Sequence, residues 1–142
     1  ISVEHIALLN KTLIKTTGQK WKPLIKYFAI IPHAHIKYTA DTRIDLKTLM
    51  SDIEEIILDL DPTSGACKGR ALKVDEYHHS HINIEIRLFA TKNRDIDLLN
   101  ELINRIDSRA KSFLKKAAHV TVKLEFTPLT YLTGYYDPAN SD

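Results

Sequence analysis

The sequence predicts an α+β fold, a ferredoxin-like βαββαβ unit whose antiparallel sheet carries two helices on one face. Three observations lead there. Two long segments repeat apolar residues at three-and-four spacing, two shorter ones alternate apolar and polar residues, and their order from Ile30 onward is strand, helix, strand, strand, helix, strand. Two amphipathic helices cover one face of a four-stranded sheet in such an arrangement, and right-handed crossovers leave few other topologies.

The first strand is the extended stretch Ile30 to Thr39. The first helix follows from Leu46, Leu49, Met50, Ile53, Ile56, Ile57 and Leu60, which fall on one stripe. Thr42 or Asp45 supplies its N-cap, and Asp61-Pro62 ends it because the residue before proline is driven out of the helical region. Leu72-Lys73-Val74-Asp75 reads as a strand that turns at His78-His79-Ser80 into the next one, where Ile82, Ile84, Ile86 and Leu88 alternate with Asn83, Glu85 and Arg87. The second helix runs from about Ile96 to Ala118 with the stripe Leu99, Leu102, Ile103, Ile106, Ala110, Phe113, Leu114 and Ala117. Val120, Val122, Leu124 and Phe126 alternate with Thr121, Lys123 and Glu125 in a last strand. Three regions result: residues 1–28, the end of a β-rich element with a linker; residues 29–126, the α+β domain; and residues 127–142, a tail carrying Tyr131, Tyr135 and Tyr136 that is extended unless it packs on a partner.

Composition narrows the function classes. With 44% hydrophobic residues the chain builds a core, and 20 Lys+Arg against 18 Asp+Glu leave a net charge of +2, too small for an electrostatic claim on nucleic acid. Cys67 is the only cysteine, which excludes an intramolecular disulfide and a cysteine-based zinc site. No apolar run reaches the roughly 20 residues a membrane helix needs, so this portion is expected to be soluble.

Histidines are the chemistry-bearing residues that stand out. His33 and His35 share one face of a strand, and His78, His79 and His81 crowd a predicted turn. Neutral imidazoles suit zinc or nickel, so these five make a candidate metal set, with solvated polar residues at a strand edge and a turn as the simpler explanation. Glu54-Glu55 and Asp59-Asp61 fall mainly on the helix face turned from the apolar stripe, a solvated position. No serine sits in a strand-to-helix elbow, and four glycines leave no phosphate-cradling loop. An RNA-recognition module needs stacking aromatics on its central strands, where this chain offers Asn83, Glu85, Arg87 and only Phe89. An acylphosphatase-like site is unsupported too, because no glycine-rich loop surrounds Arg43.

Several stretches taken together resemble one family. Ile6-Ala7-Leu8-Leu9-Asn10-Lys11-Thr12-Leu13-Ile14 followed by Gln19-Lys20-Trp21, then Ala34 to Thr42, the pair Leu72 to Glu76 and Ile82 to Phe89, and the helix Asp97 to Lys116 look like the cytoplasmic region of small-conductance mechanosensitive channels. Leu9 and Lys20 depart from that family's pattern, and its Pro-aromatic-Pro step is absent before Val120. The resemblance implies a cytoplasmic vestibule on the inner side of the plasma membrane. It also implies a homo-oligomer, a heptamer in the family, joined to the membrane through an N-terminal pore region. Osmotic response would be the role, with no cofactor, no nucleic acid and no catalysis, hence no catalytic residue. The alternative is a soluble ferredoxin-like regulatory module holding a metal through His33, His35, His78, His79 and His81.

Overall fold

The computed structural model describes residues 32–91, 94–128 and 130–140. The β-rich element expected over residues 1–28, with the channel-like motifs from Ile6 to Trp21, lies outside the described residues. The elements run, in chain order, β1 (His33–Thr39), α1 (Leu46–Leu60), β2 (Lys68–Val74), β3 (His81–Leu88), α2 (Ile96–Phe113) and β4 (His119–Phe126), then a single 3-10 turn at Pro138–Asn140.

Local chemistry sets the helix ends. Asp45 caps α1, its carboxylate accepting from the Thr48 N–H at 3.1 Å and the Thr48 hydroxyl at 2.6 Å. The Asp61 N–H closes the last turn on the Ile57 carbonyl at 2.8 Å, and Pro62 lacks the donor a further turn needs. Asp95 caps α2 through the Leu98 N–H at 2.9 Å. Asp97 in the first turn and Lys111 in the last both match the helix dipole. The helix stops at Phe113 rather than continuing to Ala118. Leu114 is already extended, and Lys116 is held by Asp41 at 2.6 Å as the chain swings toward β4, so tertiary contact overrides the helix propensity of Lys115 to Ala118.

The α+β class, the four strands and the two helices are present as expected. The pairing corrects the ferredoxin-like expectation. Strand order is β2-β1-β3-β4, with β1 parallel to β2, β3 parallel to β4, and only the central β1–β3 pair antiparallel. Two unsplit βαβ units therefore sit side by side, and β2 and β3 form no hairpin. Residues 75–80 instead carry the chain across the end of β1. There the Ala40 N–H bonds the Val74 carbonyl at 3.0 Å, and the Thr39 hydroxyl receives the His81 N–H at 3.1 Å. At the opposite end of β2, the Lys68 N–H reaches the Pro32 carbonyl at 3.0 Å and the Cys67 N–H reaches Glu54 at 2.7 Å, which fixes β2 beside β1. Alternation tells which residues face the helices, not which strand lies alongside, and both topologies satisfy the same pattern.

The core lies between sheet and helices. Ala34, Ile36, Ile82, Ile84, Ile86 and Leu88 meet Leu49, Ile53, Ile56 and Ile57 of α1 and Leu102, Ile106 and Ala110 of α2, all buried. Gly69 permits the closest approach, since a Cβ there would stand 2.7 Å from the Met50 sulfur of α1. Among the described residues the other sheet face carries no helix. Its successive rows read Lys68, His33, Arg87, Glu125 and then Arg70, His35, Glu85, Lys123.

Candidate active site

One end of this face gathers functional groups from four separate segments. β1 begins here with His33, just after Pro32, β2 begins with Lys68, β3 ends at Leu88, and the chain leaves β4. After Phe126 the chain turns back over these strand ends. The Thr127 N–H bonds the Leu88 carbonyl at 2.8 Å, the Tyr131 hydroxyl is hydrogen-bonded to His33 Nε2, and the Lys68 ammonium donates to the Thr133 hydroxyl. The tail through Thr133 thus packs on its own sheet. The Tyr131 ring stands edge-on to Phe89 with centroids 5.2 Å apart and to His33 with centroids 5.8 Å apart. An edge-to-face contact of this kind adds roughly 0.5–1.5 kcal/mol to simple burial.

His33 is the centre of the arrangement. Its Nδ1 lies 3.1 Å from an Arg70 guanidinium nitrogen, while Lys68 and Arg87 flank it across the sheet. Partial burial first, then the charges of Arg70, Lys68 and Arg87, push the imidazole below its ordinary value. The ring is therefore neutral at pH 7. Arg87 also leans on Glu125 at 3.4 Å, and Glu125 is held by Lys123 at 2.5 Å. Arg70 has no carboxylate partner among the ion pairs of the described residues. Cations around a neutral imidazole and a tyrosine hydroxyl suit an anionic ligand with a second polar oxygen.

Behind this wall lies a buried ion pair. Arg94 donates from Nε to Asp61 at 2.9 Å, from one terminal nitrogen to the Phe89 carbonyl at 2.7 Å and from the other to the Ser64 hydroxyl at 2.9 Å. The two side chains are only 3% and 8% exposed. Asp61 is therefore not on a solvated helix face as its spacing suggested; it is the anchor of Arg94 and hence of the Phe89 backbone. Glu54, from the same acidic stretch, accepts the Cys67 N–H, and Asp59 pairs with Arg105 at 2.6 Å. The Cys67 thiol is pushed up to about 12 by burial and by Glu54, so it stays protonated at neutral pH.

The histidine set does not converge. His33 is taken up by Arg70 and Tyr131, whereas His78, His79 and His81 sit at the far end of the sheet. There the His78 and His79 rings lie 4.0 Å apart, His79 stands 6.1 Å from His119, and His81 Nδ1 lies 2.9 Å from the His79 carbonyl oxygen. Among the described residues no group of three or more His, Cys, Asp or Glu side chains is placed to hold a metal ion, which corrects the metal-binding alternative. At that end Asp41 is the organising group. Hydrogen bonds from Lys116, Ser80 and Thr39 hold its carboxyl well below the usual range and tie residues 75–80 to β1.

Of the residues at the candidate site, the sequence singled out only His33, and for metal binding. Arg70, Phe89, Arg94 and Tyr131 carry no spacing signal, because their convergence spans 98 residues between His33 and Tyr131.

No protein-family model matches this chain, and no curated protein matches it. Solved structures do. A 5-carboxymethyl-2-hydroxymuconate delta-isomerase superposes with a TM-score of 0.63 at 14% identity, covering 78% of this chain and 91% of its own. A 5-carboxymethyl-2-hydroxymuconate isomerase from Deinococcus radiodurans R1 gives 0.58 at 16% identity, covering 78% and 93%. A fused 4-OT wild-type symmetric trimer gives 0.54 at 12% identity, covering 70% and 89%. At these identities the likeness establishes a shared fold. These neighbours are named as isomerases and a 4-OT trimer, not as channel cytoplasmic domains, so the resemblance to mechanosensitive channels is corrected. With it go the vestibule role, the osmotic response, the heptamer, the multi-pass placement at the plasma membrane and the expectation of no catalysis. No helix among the described residues is long and apolar enough to cross a membrane.

Proposed function

We propose that this chain is an isomerase that moves a proton within a small carboxylic acid by way of its enol or enolate. The observation that carries the reading is the convergence of Lys68, Arg70 and the Tyr131 hydroxyl on a neutral His33 at one end of the sheet. The shared fold supports it, since 5-carboxymethyl-2-hydroxymuconate, named for two of the similar structures, is a polycarboxylate and itself an enol.

In this reading the substrate carboxylate sits on the Arg70 fork with Lys68 beside it, which suits planar bidentate recognition. Converting a dienol to its ketone removes the enol O–H proton and places a proton on carbon; the oxygen electron pair closes the C=O bond while the displaced π pair takes up the new C–H bond. Donors aimed at that oxygen favour the charge it carries midway. Water takes the enol proton and returns one to carbon. Both His33 nitrogens are occupied, and the neighbouring Pro32 nitrogen is an amide acylated by Ile31, without basicity. The same ring at a chain start would be a secondary amine. We also read the chain as a homo-oligomer, with a symmetric trimer among the similar structures and a sheet face that neither α1 nor α2 covers.

The test is the loss of dienol ultraviolet absorbance when 5-carboxymethyl-2-hydroxymuconate is mixed with the chain, and with a form beginning at Pro32. Enzyme-dependent decay in either, faster in the form with the free amine, is the expected result. A rate equal to buffer for both forms overturns the reading.

A further inference from the structure

We propose that Tyr131 is the catalytic hydrogen-bond donor to the substrate's carbonyl or enolate oxygen, and that His33 is the positioning residue that leaves its O–H free for this. The inference rests on the carboxylic-acid reading and names the group that meets the second oxygen.

Donor and acceptor accounting fixes the tautomer. A guanidinium has only donors, so the His33 Nδ1 that faces Arg70 at 3.1 Å must accept. A neutral imidazole whose Nδ1 accepts carries its proton on Nε2. Nε2 faces the Tyr131 oxygen, so the imidazole donates there and the tyrosine oxygen accepts. The tyrosine proton is then committed to neither ring nitrogen. Flanking cations keep the second proton off the imidazole, which supports the same tautomer. Were the tautomer reversed, two N–H groups would confront each other at Arg70 and the tyrosine proton would be spent on His33.

The ring that carries this hydroxyl is held in place. Phe89 meets it edge-on, and Thr127 and Thr133 on either side are bonded to Leu88 and Lys68. Tyr131 is only half-buried, so part of its side chain meets solvent. Lys68 and Arg70 lie on the adjoining strand, so an acid whose carboxylate rests on them brings a neighbouring carbonyl oxygen toward Tyr131. No bond of the tyrosine breaks. Its O–H hydrogen-bonds the oxygen as negative charge collects there, and the His33 N–H polarises it further.

Three readouts test this. In nitrogen-15 spectra of the whole chain, His33 should show an unprotonated Nδ1 and a protonated Nε2. Oxalate, whose second charged oxygen imitates the enolate, should bind Tyr131→Phe at least about tenfold more weakly than wild type, while propionate changes less than about twofold. Turnover by Tyr131→Phe should fall about a hundredfold or more in kcat with KM nearly unchanged, the size of losing one oxyanion donor. A protonated Nδ1, equal weakening of both acids, or an unchanged kcat in a chain that turns over its substrate each overturns the proposal. If neither acid binds wild type, the carboxylic-acid reading itself has failed, and this proposal goes with it.

Discussion

Arg94→Met is expected to lower the stability of the fold by about 3–5 kcal/mol, the cost of leaving a buried charge without its partner. Asp61 is almost fully enclosed, and its carboxylate accepts from Arg94 on one oxygen and from the Thr63 N–H, at 3.1 Å, on the other. Removing the guanidinium strands that charge and takes away the bonds Arg94 gives to the Phe89 carbonyl and the Ser64 hydroxyl. Urea denaturation reads the loss directly. The pair is costly to break yet replaceable, because desolvating two ions offsets most of their attraction. Asp61→Leu combined with Arg94→Met should therefore regain most of the stability that Arg94→Met alone removes. Acid acts in the same sense. Burial alone would raise the Asp61 carboxyl, but the hydrogen bonds from Thr63 and the charge of Arg94 outweigh it and hold it below its ordinary value. A carboxylate depressed in the folded state contributes stability above the ordinary value near 4, and that contribution drains as pH falls through the lower folded value. Wild type should weaken over that acid range, and the variant carrying both substitutions should do so less steeply.

The second large effect falls on Arg70. In the proposed function its guanidinium has two tasks, holding the substrate carboxylate and fixing the His33 tautomer through Nδ1. A charge-assisted hydrogen bond contributes roughly 1.5–3 kcal/mol, so Arg70→Ala should raise KM about ten- to a hundredfold for a dienol acid. It should also lower kcat, because Nδ1 is then free to take the proton and Tyr131 loses its fixed donor role. Arg70→Lys keeps the charge without the fork and should recover part of KM. Stability should hardly change, since Arg70 is exposed on an edge strand. Steady-state kinetics on the three proteins separates the two tasks. A KM unmoved in Arg70→Ala would take the carboxylate off this residue.

The secondary structure was legible because it is written in short-range periodicity. The α1 stripe, the Asp45 cap, the Pro62 stop and the alternation of Ile82, Ile84, Ile86 and Leu88 all depend on neighbours within a few residues. Strand pairing was not legible. Whether Lys68–Val74 runs antiparallel to β3 or parallel to β1 is decided by the crossing of residues 75–80 over Ala40 and Asp41, to which alternation is blind. The channel resemblance failed for the same reason. Its described part consisted of alternating strands and an amphipathic helix, features shared by any sheet with helices on one face. The candidate site lay hidden for a different reason. His33 drew notice as an imidazole, yet its partners come from β2 and from a tyrosine beyond β4, and no spacing rule links residues that far apart.

The central claim is that this end of the sheet stabilises the enol of a small carboxylic acid. Proton exchange at carbon tests it without requiring the natural substrate. A simple 2-oxo acid such as 2-oxobutanoate is held in D2O with the chain, with its Pro32-start form, and with Tyr131→Phe of whichever exchanges, and the C3 protons are followed by NMR. The account predicts enzyme-dependent loss of the C3 signal that is saturable in the acid and strongly reduced in the variant. Exchange no faster than in buffer, with the folded protein present in substrate-level amounts, would contradict it.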